Sequence, residues 1–301
     1  MYKRQSLNIP SNLKDSYPFQ PKRFKLSNGH SLSYLDEGSD EKTPTLFLHG
    51  NPTWSFYYRK AVRFWKDHSR CIAVDHLGCG LSDKPSSSSF SYNLQNHANN
   101  LLELVDSLNL QNFNLVVHDW GGAIGMTAFA DQAHRIRKIV LLNTAAFPSQ
   151  DVPRRILFCR LPVIGEFFVR ALNGFAGPAT WMASSKGMTD AAKKGLLQPY
   201  GNWKNRVAIW NFVRDIPYEL NHPTLSILQS TAEKLKTFST TPAMARWGMK
   251  DFCFHGGYLK KWEKQWPHII SHRFADSGHY ILEDSFEDVR AKVEPFLFAN
   301  E

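Results

Sequence analysis

The apolar positions of this chain fall into short continuous runs, separated by longer stretches in which they recur every three or four residues. Residues 23–26 and 32–35 flank the turn pair Asn28-Gly29, which predicts an opening β-hairpin. Runs at 45–48, 71–74, 113–117, 139–142, 243–247 and 269–274 predict six further strands. Several are apolar almost throughout, as in parallel strands covered on both faces. Helical spacing marks 54–65, 92–108, 122–130 and 285–298. The alternation predicts an α/β architecture, a mostly parallel eight-stranded sheet flanked by helices. From about residue 147 to 222 the rhythm breaks: the stretch is rich in Pro, Gly, Trp and Phe and reads as several short helices without a strand. It predicts a helical cap domain at 147–222, inserted into a core domain made of 1–146 and 223–301.

Composition narrows the class. With 301 residues, 43% of them hydrophobic, the chain is neither a disordered tail nor a disulfide-stapled miniprotein. Lys and Arg outnumber Asp and Glu 36 to 27, and most of that excess sits in residues 151–250, where 14 basic residues meet 6 acidic ones. These charges are interleaved with Leu, Phe, Trp and Pro and form no basic block, so they predict a solvated face and no nucleic-acid partner. Residues 1–20 carry Lys3, Arg4, Lys14, Asp15 and two prolines, with no apolar block to act as a secretion signal. No run approaches the roughly 20 apolar residues of a membrane-crossing helix, so a cytoplasmic location without a membrane span is expected. Cys71, Cys79, Cys159 and Cys253 are widely spaced and read as reduced thiols. His268 and His272 stand at helical spacing but bracket Ile269, Ile270 and Ser271, without the Glu of a zinc-protease helix, so no metal is expected. Gly78-Cys79-Gly80 lacks the third glycine of a dinucleotide loop, position 83 being Asp, and no cofactor is expected.

The segment most informative about chemistry is the apolar strand ending His118-Asp119-Trp120-Gly121-Gly122, which runs into a small-residue turn and then a helix. It has the outline of a nucleophile elbow, a tight strained turn that lifts a reactive side chain above the sheet's carboxyl edge. Asp119 occupies the nucleophile position. A carboxylate is ionised near neutral pH, needs no base to attack carbon, and forms an ester that water must then cleave. The second step calls for a His held by a carboxylate. His279, in Ser277-Gly278-His279-Tyr280 after the last predicted strand, and Asp251, after the strand at 243–247, follow in the order nucleophile, acid, histidine. Asp276 is a rival acid, but three residues from His279 it would more naturally shape the local turn. Near the front, His49-Gly50-Asn51-Pro52-Thr53-Trp54 follows the strand at 45–48. The backbone N–H groups of Asn51 and Trp120 suit an oxyanion hole, and their side chains are neutral donors suited to a departing halide.

HGNPTW at His49, DHLGCGLSDKP at Asp75, VVHDWGG at Val116, LNTAAFP at Leu142, WGMKDF at Trp247 and GHYILED at Gly278 together resemble the haloalkane dehalogenases of the α/β-hydrolase superfamily, from about residue 20 to the end. The resemblance implies an α/β-hydrolase fold and hydrolysis of carbon–halogen bonds through a covalent ester on Asp119. His279 and Asp251 would act on that ester, and Asn51 and Trp120 would hold the halide. The pattern is similar to the subfamily with an Asp acid and an Asn/Trp halide pair. A branch with its acid one strand earlier would need a carboxylate near Asn143, and there is none. A cap Trp as second halide donor, from Trp181, Trp203 or Trp210, would normally accompany Glu at position 51.

The same subfamily contains, by resemblance, the β-lactone decarboxylases of bacterial olefin biosynthesis, which the segments CRLPVIGEFFVRALNGFAGPATWMA and FVRDIP resemble. That alternative would imply a lactone with two long alkyl chains and a complex with other olefin-pathway enzymes. The motifs do not separate the two readings, since both need an Asp nucleophile and a small apolar substrate in a water-excluding pocket. An epoxide hydrolase would share the triad but needs cap tyrosines to protonate the epoxide, for which the cap offers Tyr200 and Tyr218. A non-catalytic binding protein of this fold would be expected to lack Asp119 or His279.

Overall fold

The computed structural model describes residues 13–299. The expectation about a secretion signal in residues 1–20 therefore lies largely outside the described residues. Eight strands form one sheet: β1 (Lys22–Lys25), β2 (Ser31–Glu37), β3 (Pro44–Leu48), β4 (Arg70–Asp75), β5 (Phe113–Asp119), β6 (Ile136–Thr144), β7 (Ala243–Gly248) and β8 (Ile270–Phe274). Their spatial order is β1-β2-β4-β3-β5-β6-β7-β8. β2 runs antiparallel to β1 and β4, and the remaining pairings are parallel. Twelve α-helices accompany them among the described residues: α1 (Arg59–Trp65), α2 (Leu94–Ser107), α3 (Trp120–Phe129), α4 (Arg154–Arg160), α5 (Ile164–Arg170), α6 (Ala176–Met182), α7 (Asp190–Leu197), α8 (Val207–Arg214), α9 (Pro223–Lys234), α10 (Gly256–Gln265), α11 (Ile281–Asp284) and α12 (Phe286–Phe298).

The continuous apolar runs become strands buried from end to end, as in β4 and β5. Strand alternation sends Leu115 and Val117 into one core layer, under α2, α3 and α10, and Val116 into the other, under α1 and α12. At the sheet's outer edge β8 is largely exposed and carries His272 and Arg273, polar cover that discourages strand addition. Between β6 and β7 the chain leaves the sheet for the helices α4 to α9, of which α4 to α8 fall in the stretch expected as the cap. The cap is tied to the core by Trp54 Nε1, which donates to the Gly195 carbonyl in α7 (3.1 Å), and by Asp215 after α8, which accepts from Leu94 N at the start of α2 (2.7 Å).

Three local differences from the sequence pattern have physical causes. The stretch expected as one helix over 54–65 begins as a 3-10 turn, Ser55–Tyr58, because Ser55 N–H donates to the buried Asp75 carboxylate (2.7 Å) and Phe56, Tyr57 and Tyr58 are all buried. The helix expected over 285–298 follows a separate short helix, α11. Helices α9 and α10 escape the hydrophobic pattern: α9 is rich in Ser and Thr, and α10 opens on two glycines. Both gain their stability from tertiary contacts and from caps, such as His255 Nδ1 accepting from Gly257 N at the start of α10 (3.1 Å).

Candidate active site

β5 ends on Asp119 in a backbone conformation, φ 52° and ψ −127°, that costs a non-glycine residue energy. The register between β5 and β6 shifts at His118/Asp119, and Thr144 Oγ1 donates to the Asp119 carbonyl (2.5 Å), which braces the turn. The helix α3 starts at once, and Gly121 is the close approach that permits this: a Cβ there would lie 2.1 Å from the Leu48 carbonyl oxygen. The Asp119 carboxylate is buried and accepts Asn51 N–H on Oδ1 (2.8 Å), while its Oδ2 lies 3.5 Å from His279 Nε2.

Asp251 Oδ2 receives His279 Nδ1 at 2.8 Å, and its Oδ1 accepts the backbone N–H groups of Cys253 and Phe254 (2.7 and 3.0 Å). Asp276 instead lies at the surface, 76% exposed, paired with Lys250 at 3.0 Å. The structure thus brings together Asp119, His279 and Asp251, and leaves the rival acid outside.

Burial by itself would lower the His279 pKa, but the neighbouring carboxylates Asp251 and Asp119 outweigh it and raise it from 6.5 to about 10. Burial would likewise raise Asp119, yet His279 and the Asn51 N–H leave it below the ordinary carboxylate value. At neutral pH the free site therefore holds an imidazolium between two carboxylates. An unfolded His titrates near 6.5, so the folded chain holds an extra proton between about 6.5 and 10. The stabilisation from this proton is complete below pH 6.5 and disappears as pH rises through 10. The melting temperature is expected to fall across pH 7–10, and less steeply in His279→Gln; equal slopes in calorimetric scans of the two proteins would contradict the arrangement.

Asn51 and Trp120 both border a cavity of about 490 Å³ that opens above Asp119, as does His279. Its walls are almost wholly apolar, with Ile156, Phe168 and Phe175 from the cap facing Leu228 and Tyr280 from the core. Trp120, the first residue of α3, is half-buried and rests against Phe212 of α8 (ring centroids 5.5 Å apart). One Asn51 amide N–H donates to the Ile209 carbonyl of the cap at 3.1 Å; an Asn amide has two N–H groups, so one remains for a ligand. Of the cap tryptophans, Trp181 stands at the cavity's edge, 66% exposed, and Trp203 and Trp210 do not line it. Neither cap tyrosine reaches it: Tyr200 is buried with its OH on the Thr53 carbonyl (3.1 Å), and Tyr218 lies in a separate groove beside Arg160 and His222.

Three polar residues complete the site without a signal in the sequence pattern that distinguishes them. Asn143, at φ 34° near the end of β6, donates Nδ2–H to Asp251 Oδ2 (2.9 Å) and accepts Gly248 N–H (2.8 Å). An amide thus supports the acid from the position where the other branch would place a carboxylate. His118, whose pKa burial and the charge of His279 lower to about 3, is neutral and donates Nε2–H to the His279 carbonyl (2.9 Å). Asp284 accepts from Gly278 N (2.6 Å), Ser185 N (2.9 Å) and Ser184 Oγ (2.5 Å), which ties the histidine loop to the cap.

The α/β hydrolase fold family matches residues 43–159. The chain is 40% identical to a cis-3-alkyl-4-alkyloxetan-2-one decarboxylase of Shewanella oneidensis, across 94% of this chain and 90% of that protein. It is 30% identical to haloalkane dehalogenase 2 of Mycobacterium tuberculosis, across 92% and 94% of the two chains. The fold superposes on the crystal structure of a haloalkane dehalogenase from Bradyrhizobium elkani with a TM-score of 0.83, at 23% identity, over 91% of this chain and 96% of that one. The fold and these relatives define an enzyme of the α/β-hydrolase superfamily. Within it, the chain belongs to the haloalkane dehalogenase family, in the group that also takes in the oxetanone decarboxylases. No helix among the described residues is long and apolar enough to cross a membrane.

Proposed function

We propose that the chain decarboxylates cis-3,4-dialkyl β-lactones to cis-alkenes, with Asp119 as nucleophile. The observation that carries this reading is the graded similarity to the decarboxylases, and the cavity wall is compatible with it: Cys159, Phe168, Phe175 and Met182, all within the cap segment whose sequence resembles the decarboxylases, face the space above Asp119. The identity is 40% to a decarboxylase, against 30% to a dehalogenase.

In the proposed scheme Asp119 attacks the alkyl-bearing ring carbon that is bonded to the ring oxygen, not the carbonyl carbon. That C–O bond breaks, and its electron pair leaves as a substrate carboxylate, which the Asn51 and Trp120 donors receive. The bond from the neighbouring carbon to this carboxylate then breaks. Its pair forms the alkene, carbon dioxide departs, and the Asp119 ester oxygen leaves as a carboxylate received by Asn51 N–H and the His279 imidazolium. Atoms balance without water. Inversion in the first step followed by anti elimination in the second retains the cis relation of the alkyl chains. The apolar walls favour the second step, because a poorly solvated carboxylate loses carbon dioxide more readily as its charge disperses.

With a haloalkane the same groups would run a different second step. Forming the ester removes one of the two carboxylates that hold the His279 proton, so that proton passes to solvent, and the neutral imidazole then takes a proton from the water that attacks the ester carbonyl and releases the alcohol. Epoxide opening is the least supported chemistry, since both cap tyrosines lie away from the cavity. The test supplies the protein in parallel with a long-chain cis-3,4-dialkyl-oxetan-2-one and a bromoalkane of matched length. Cis-alkene at a rate well above bromide release is expected; bromide release with no alkene would overturn the reading.

A further inference from the structure

Most exposed apolar side chains of this protein gather on the cap. Between α4 and α5 the four successive residues Leu161, Pro162, Val163 and Ile164 all face solvent, with Val163 78% and Ile164 61% exposed. The exposed face of α5 continues the patch through Phe167 and on to Leu172, 56% and 63% exposed. A surface helix ordinarily turns polar residues outward, whereas here apolar residues stand on the exposed face as well as on the buried one, where Gly165 and Val169 lie. The tip is held out by a costly turn: Val163, a β-branched residue, sits at φ 60° and ψ −63°, and Ile164 N–H closes a three-residue turn onto the Pro162 carbonyl (2.6 Å). The patch is continuous with the cavity's edge, since Phe158 and Trp181 line the cavity and are themselves exposed.

We propose that this tip inserts into the surface of an anionic phospholipid bilayer, so that lipophilic substrate passes between the membrane and the cavity. Charge selects the occupant. Residues 147–222 carry ten Lys and Arg against five Asp and Glu. The acids are all engaged: Glu166 pairs with Arg170, Glu219 with Arg160, Asp190 with Lys193 and Asp151 with His255, while Asp215 is buried against Thr224 and Leu94. Arg154, Arg155, Lys186 and Lys204 have no carboxylate partner among the described residues; Arg155 stacks on Phe252 (3.8 Å) and Lys186 donates to Ser285 Oγ (2.9 Å), which leaves Arg154 and Lys204 for lipid phosphates. Trp203, 40% exposed under the Arg170 guanidinium, adds an aromatic of the kind that settles at headgroup depth. Apolar tip, basic surround and nearby aromatics are the composition of an interfacial anchor. The inference rests on the lactone reading, because a molecule with two long alkyl chains, and its alkene product, reside in lipid.

Flotation of the full chain with vesicles of equal phosphatidylglycerol and phosphatidylcholine tests it without any substrate. Wild type is expected to float with these vesicles, less with pure phosphatidylcholine and less at high salt. Val163→Asp combined with Ile164→Asp should reduce the bound fraction by roughly tenfold, as expected when inserted apolar groups are exchanged for charges. Both positions lie outside the cavity, so the double variant should process detergent-dispersed lactone at the wild-type rate, which also reports that it is folded. No flotation of wild type, or equal flotation of the two proteins, overturns the inference and leaves the patch to a protein partner. Flotation without alkene formation overturns the lactone reading alone, and alkene formation without flotation overturns the docking alone.

Discussion

His279→Ala protein mixed with a bromoalkane is expected to gain the mass of one alkyl group, less a hydrogen, and to keep it. Asp119 needs no base to attack: its carboxylate is held ionised by His279 and by Asn51 N–H, and the pattern of donors at Oδ1 survives loss of the imidazole. What is lost is the group that activates water, so the ester should persist while turnover falls by about four to six orders of magnitude, the usual cost of removing a member of such a triad. Peptide mapping should place the adduct on Asp119, and Asp119→Ala should gain no mass. An unmodified His279→Ala protein that still binds the bromoalkane would refute a carboxylate nucleophile. Wild type gives a second reading from the same spectrum. If it also accumulates the adduct, its water step is slow, as suits an enzyme whose own substrate leaves without water.

Gly50→Ala is expected to lower turnover by roughly a hundredfold or more while leaving the protein folded. A Cβ on residue 50 would lie 2.0 Å from Asp119 Oδ1 and 2.2 Å from Asp119 Cβ. The nucleophile must therefore move, and with it the 2.8 Å bond from Asn51 N–H. Displacement of a reacting atom by about 1 Å costs about a hundredfold in rate. Because Asp119 Cβ is fixed to the backbone of the strained turn, rotating the side chain does not relieve the contact and the turn itself must shift, so the melting temperature should fall along with the rate of adduct formation. A Gly50→Ala protein that forms the adduct at the wild-type rate would show that the carboxylate is not seated as described.

Much of this molecule is legible from local pattern. The strands can be read off because each lies in a nearly uniform environment, so a continuous apolar run such as 113–117 already states that both faces are covered. Asp119 stands out because the elbow is local: an apolar strand, a reactive residue and two glycines in succession place a strained turn at that residue whatever surrounds it. The stretch 147–222 stands out as an interruption, since its short helices break the strand–helix alternation. Motif order also nominated His279 and Asp251, and the apolar cap sequence implied a greasy cavity.

Contacts between distant parts of the chain settled what the pattern left open. Motif order favours Asp251 over Asp276, and it is the packing of the loop after β7 that turns the former onto His279 and leaves the latter with Lys250. His118, Asn143 and Asp284 gain their places from partners 161, 108 and 6 residues away, the last helped by cap residues about 100 positions upstream. Helices α9 and α10 likewise form because neighbouring elements cover them. The exposed apolar tip at residues 161–164 reads as ordinary core material in sequence, because hydrophobicity is a property of a residue and burial is not. Local propensity and spacing act within a few residues and so determined the elements and the strained turn at Asp119; the orientation of Asp251, the support of His279 and the outward apolar face at residues 161–164 depend on which surfaces meet, and the tertiary structure alone decided them.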